Sequence, residues 1–212
     1  MKIDFGIRFS VKAIQGCFVM WVKKRISLGV ILSICSLFLS AEIYAQGYAI
    51  TPDEARLLPP ICRAAGERQL AVLGPHKLHF CQGFKYVIRA NASMGNKRQE
   101  HENLTTALGE FEYVLGHTKR DNINGRYNNV LAMTSIEKGK VYYRLGQAIE
   151  AMQMYHQAIK YNPKLAKSYA GLSDIYLDLD QVDEARKVLE TGLKQVPKSK
   201  SLKRRVEKLP KK

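Results

Sequence analysis

Four side chains between positions 62 and 81 have types suited to chemistry: Cys62, His76, His79 and Cys81. Two thiols and two imidazoles make a zinc-binding set. On a helix, His76 and His79 lie about one turn apart and can share a metal, but Cys81 follows His79 by two positions and points to roughly the opposite side. A disulfide, a metal site and a pair of buried free thiols are the three readings of this stretch, and the disulfide Cys62–Cys81 is the one adopted. The carboxylates Asp174, Asp178, Asp180, Asp183 and Glu184 crowd another stretch. An acid–base pair needs two of them in one cleft; a solvated face and helix caps need only the spacing seen. The chain has no Gly-x-Ser-x-Gly elbow, phosphate-binding loop, His-Glu-x-x-His or Cys-x-x-Cys motif. Neither an enzyme nor a cofactor or metal is expected.

The elements that must position these residues show a period of 34. Tyr142 recurs as Tyr176, Ala151 as Ala185, Tyr155 as Leu189, Ala158 as Gly192 and Pro163 as Pro197. A fixed period of this size marks stacked supersecondary units. In the second unit, Tyr169, Leu172, Ile175, Tyr176 and Leu179 form one helical stripe, and Val182, Ala185, Val188, Leu189 and Leu193 form another. Gly139, Ala151, Ser173 and Ala185 fall where antiparallel helices approach most closely, where a large side chain would hold them apart. Gly146 marks the break between helices, suited to a left-handed residue.

The run Gly139, Tyr142, Gly146, Ala151, Tyr155, Ala158, Pro163 resembles a tetratricopeptide repeat, and Ser173, Tyr176, Ala185, Leu189, Gly192, Pro197 resembles a second. Ser135 stands where the first would carry a large residue, and Asp180 where the second would carry glycine. The resemblance implies an all-α fold, a right-handed solenoid of stacked antiparallel hairpins with a concave binding face. Two units rarely bury enough surface alone. Helical patterns at 76–92 and 99–117 supply a diverged third hairpin, and 199–209 reads as a basic capping helix. The resemblance also implies which side chains face the groove: Met133, Ile136, Lys140, Tyr143 and Arg144 from one repeat, Lys167, Ala170, Asp174, Leu177 and Asp178 from the next. Lys140, Tyr143, Arg144, Lys167, Asp174, Leu177 and Asp178 are the candidate partner-binding set. They do not reproduce the lysine–asparagine–arginine clamp by which chaperone-binding repeats hold a carboxylate.

The N-terminus reads as an export signal. Lys23–Arg25 is its charged part, Ile26–Leu39 its apolar part, and Ala45 ends a cleavage site; a mostly apolar run of 14 residues suits a cleaved signal better than a membrane span of about 20. An uncleaved inner-membrane anchor is the alternative, and Met20 an alternative start. The expected organisation is a signal at 1–45, a loop-rich segment at 46–75, a diverged hairpin and linker at 76–131, two repeats at 132–199, and a basic cap and tail at 200–212. Residues 1–45 hold six basic and two acidic residues, so the net charge of +15 becomes +11 for the mature chain. Eight basic residues lie in Lys198–Lys212 against the single Glu207. Such a tail attracts anionic lipid or envelope polysaccharide. Nucleic acid is not expected, because no aromatic residues interleave with the charges. The function expected is a non-enzymatic protein–protein interaction module, an adaptor or assembly factor of a bacterial envelope. A metal or cofactor protein built on His76–Cys81 and a surface binder acting through the tail are the rivals.

Overall fold

A computed structural model describes residues 49–64 and 66–210. The chain divides into two units, Met1–Ile50 and Thr51–Lys212. The expected signal at 1–45 lies outside the described residues. The second unit holds all the elements described. Among the described residues every element is helical, and no helix is long and apolar enough to cross a membrane.

Three hairpins form the stack. α4 (Lys77–Ala92) pairs with α5 (Lys97–Arg120), α6 (Asn128–Arg144) with α7 (Ala148–Tyr161), and α8 (Ala166–Asp178) with α9 (Val182–Gln195). α6 also packs on α5, and α8 on α7, so the hairpins follow one another in order. α10 (Lys200–Lys208) closes the far end against α8 and α9. Among the described residues, three short helices precede the stack: α1 (Pro52–Leu57), α2 (Pro60–Arg63) and α3 (Gly66–Leu73).

The segment expected to be loop-rich therefore carries local helix, and proline is part of the reason. Pro52 and Pro60 stand at the first helical position, where a missing N–H costs nothing. Thr51 and Glu54 add a reciprocal capping box: the Glu54 N–H donates to Thr51 Oγ1 at 3.2 Å and the Thr51 N–H to Glu54 Oε2 at 2.8 Å.

The hairpins are close because small residues and aromatic rings alternate across them. Gly139 faces the Ala151 carbonyl, Met154 and the Tyr155 ring, all 3.3 Å from where a Cβ would stand. Tyr155 reaches on to α8, where a Cβ on Gly171 would lie 2.3 Å from its ring. Tyr169 repeats the arrangement against Gly192 of α9, at 2.7 Å. Gly83 makes room for Phe111 between α4 and α5, at 2.4 Å. Ala151, Ala158, Ala185 and Leu189 are fully buried in this seam. Ser135 and Ser173 are buried as well, and each hydroxyl donates to a carbonyl of its own helix, Leu131 O and Ala170 O, both at 2.8 Å. The expected large residue at 135 is thus replaced by a satisfied small one.

The 34-residue period appears in the backbone too. Gly146 ends α6 at φ +77°, and Asp180 ends α8 at φ +57°. Glycine enters this left-handed region freely; aspartate does so at a cost that its short polar side chain only reduces.

Candidate partner-binding groove

The residues assigned to a groove lie on α6 and α8, the first helix of their hairpins. The structure sorts them by what they already touch. Tyr143 is 37% exposed, a large side chain open to solvent as Tyr113 and Leu179 of the stack also are. Lys140 is exposed and pairs with Glu137 one turn back, at 2.7 Å. Lys167 and Asp178 lie on α8, each partly open to solvent. These four are presented outward.

The other three are engaged within the protein. Arg144 donates to Asn91 Oδ1 at 2.7 Å and to Glu100 Oε1 at 2.5 Å, which ties the end of α6 to the first hairpin. Asp174 accepts two hydrogen bonds from Arg205 of α10, at 3.1 and 2.9 Å. Its carboxylate holds the Arg205 guanidinium above its ordinary value. Leu177 packs against the cluster of Tyr169, Ala170, Leu189, Leu202 and Leu209 that seats the cap. Ile136 and Ala170, also expected to face the groove, are core residues. Met133 is half-buried against Leu73, Phe80 and Val130. A stripe defined by spacing alone could not separate outward residues from those the neighbouring helix covers.

Some polar groups had no signal in the sequence. Lys138 is buried on α6, paired with Glu112 of α5 and lying over the Tyr142 ring at 5.4 Å. Burial pushes its ammonium below the usual lysine range. Burial also pushes the Tyr155 phenol up, helped by the charges of Glu137 and Asp174. The histidines pair with carboxylates: His76 Nε2 with Asp121 at 2.9 Å, His79 Nδ1 with Glu110 at 2.7 Å. Tyr113 is stacked between His79 and His117, 3.8 Å from each ring centroid. Cys62 and Cys81 are joined as a disulfide, Cα to Cα 5.6 Å, and Gln69 Nε2 donates to the Cys62 carbonyl at 3.3 Å. Among the described residues no group of three or more His, Cys, Asp or Glu gathers where it could hold a metal. His76, His79 and the two cysteines thus part company: the disulfide joins α4 to α2, while the imidazoles pair with carboxylates of α5 and its end.

The stacked geometry agrees with a family match. Residues 142–206 match the tetratricopeptide-repeat family. Over that stretch the chain resembles tetratricopeptide repeats. A thermophilic tetratricopeptide-repeat protein of Thermus thermophilus has a similar structure, with a TM-score of 0.51 and 22% identity over 66% of this chain and 67% of that one. At that identity the likeness shows the fold alone. The first repeat domain of Spaghetti (RPAP3), solved with the HSP90 peptide SRMEEVD, gives a TM-score of 0.41 and 16% identity over 60% of this chain and 91% of that one, too low to carry an argument. No curated protein matches the chain. The tetratricopeptide fold implies a protein–protein interaction module.

Proposed function

We propose that this tetratricopeptide protein is a non-enzymatic adaptor or assembly factor of a bacterial cell envelope, which holds a peptide or helix of its partner along the first helices of its repeats. The observation that carries the reading is the outward presentation of Tyr143, with Lys140, Lys167 and Asp178 on the same first helices, whose other faces are buried. An exposed tyrosine accompanied by charges of both signs suits an interface anchor with a polar rim. Arg144 and Asp174 serve the same face by holding its ends to Glu100 and Arg205. The export pattern of 23–45 and the Cys62–Cys81 pair support residence in an oxidising compartment.

A photo-crosslinking residue placed at Tyr143 in the native cell tests the reading. It should trap one defined protein, and Lys167→Ala with Asp178→Ala should weaken that product. A crosslinker at Glu190, on the second helix of the last repeat, should not trap it. Equal trapping from both positions would refute the groove. A second reading has its own observation: Lys198, Lys203, Arg204 and Lys208 are exposed on and beside α10 while Leu202 and Leu209 face the core. That face suits anionic lipid or polysaccharide, and salt-sensitive binding to anionic vesicles, lost on deleting 200–212, tests it.

A further inference from the structure

α5 and α7 both pack on α6, and a cleft of about 670 Å³ is lined by Lys119 of α5's end, by Asn122 just after it and by residues of α7. On α7 it lies along Gln153, Gln157 and Lys160, away from the buried Ala151–Tyr155–Ala158 stripe. None of the candidate groove residues lines it, so its argument does not rest on the proposed groove. Its volume falls in the range of about 300–1,000 Å³ usual for ligand clefts.

The chemistry of its lining is one-sided. Lys119 from α5 and His156 and Lys160 from α7 are the ionisable groups besides the Tyr161 phenol, and no carboxylate lines it. Elsewhere in the stack Arg89, Lys138, Lys140, Arg144 and Arg205 are each matched by a carboxylate of the chain. Lys119, His156 and Lys160 make no side-chain hydrogen bond or ion pair among the described residues. A lysine near the end of each helix answers its dipole, which accounts for Lys119 and Lys160 singly. It does not account for the amides between them. Gln153 makes no side-chain hydrogen bond among the described residues, and Gln157 uses only its carbonyl oxygen, 3.5 Å from Ser135 Oγ, so its amide N–H groups are free to donate. Met154 and Tyr161 add apolar wall.

We propose that this cleft is a second docking site, for an extended acidic peptide segment of a partner protein. Lys119 and Lys160 take its carboxylates, the glutamine amides bond its backbone, and Met154 receives an apolar side chain between the acidic ones. Amide side chains both donate and accept, as a peptide backbone does, whereas a fully ionised phosphate only accepts. Methionine adapts to a side chain of variable shape.

The probe is a labelled seven-residue peptide, blocked at both ends, of five glutamates around two central leucines. Binding to the full chain is followed by fluorescence polarisation. Lys119→Gln with Lys160→Gln should weaken it at least about tenfold and flatten its salt dependence. Gln153→Ala with Gln157→Ala should weaken it about threefold or more while leaving the salt dependence. Tyr143→Ala should change it little, so loss of the groove reading leaves this one standing. These positions are surface or half-buried, and unchanged circular dichroism checks the fold. The proposal is overturned if the lysine variant binds as the wild type does. It is equally overturned if Lys203→Gln with Arg204→Gln on α10 removes binding instead. Displacement of the peptide by inorganic tripolyphosphate at equal concentration, with no effect of the glutamine variant, would show a surface that reads charge alone and would overturn the peptide assignment.

Discussion

Glycine has two opposite meanings in this protein, and a methyl group tells them apart. At Gly192 an added Cβ would lie 2.7 Å from Tyr169 Cγ and 2.9 Å from Tyr169 Cβ, with Leu202 at 3.0 Å behind. The contact atoms belong to the root of a buried ring and cannot swing away. Gly192→Ala should therefore destabilise by about 1–3 kcal/mol, read by urea unfolding, through overpacking. Gly109 is exposed inside α5 and has nothing within 4 Å of a Cβ. Gly109→Ala should stabilise by about 0.5–1 kcal/mol, since only helix propensity changes. The left-handed Asp180 gives a third case. Asp180→Gly should raise the melting temperature, because the strain removed, about 1 kcal/mol, exceeds the weak attraction of the Asp180 carboxylate to the start of α9. The repeat spacing picked out Gly139, Gly146 and Gly192; nothing in it distinguished the ring contacts of Gly83 and Gly171 from the empty space at Gly109.

Among the elements, α1 to α3 and their joins bury little, with Leu58 and Leu73 their buried apolar side chains among the described residues. α1 has no buried residue, and α3 buries only Leu73. Leu73 and Ile61 pack with Phe80 and Cys81 of α4, and the tie is completed by the Cys62–Cys81 disulfide and by a two-pronged pair in which Arg89 Nε and Nη2 donate to Glu54 at 2.5 and 3.3 Å. Burial pushes the Glu54 carboxyl up, but hydrogen bonds from Arg89 and Thr51 and the charge of Arg89 outweigh it, and the net shift is downward. A carboxyl with a lowered folded value contributes stability above its unfolded value and loses it as pH falls through the folded one. Protease protection of 51–73 should therefore fall on acidification from about pH 5 downward, and Glu54→Gln should be weakly protected throughout and flatter with pH. Reduction of the disulfide closing a 19-residue separation should cost about 3 kcal/mol of stability in the chain-entropy model, seen as an earlier urea midpoint. Non-reducing peptide mapping should first show the Cys62–Cys81 link; two free thiols would remove the basis of that shift.

For the whole molecule, partner binding and stability should separate. Tyr143→Ala removes an exposed ring and should cost about 2 kcal/mol or more of partner affinity with little change in melting, measured by calorimetry on the crosslinked partner. Arg144→Ala should lower stability as well, because Arg144 joins α6 to Asn91 and Glu100. A stack in which each hairpin packs chiefly on its neighbours keeps such damage local.

Local chemistry and period were legible without tertiary structure. The 34-residue echo carried the hairpin order, the small residues at 139, 151, 173 and 185, and the left-handed break at 146, because each depends on spacing along one chain. The helices at 77–92, 97–120 and 200–208 followed from apolar stripes and polar breaks. The Cys62–Cys81 pair was legible as the two cysteines that lie outside the expected signal. What tertiary structure alone decided was occupancy. Asp174 and Arg144 have the same charged character in sequence as Asp178 and Lys140, yet Arg205, Asn91 and Glu100 reach the first two from 31, 53 and 44 residues away. Leu177 lies under a cap that begins 23 positions later, at Lys200. Period and composition are properties of neighbours along the chain. Whether a side chain is free for a partner depends on atoms brought to it by folding, and those separations leave no mark on its own stretch of sequence.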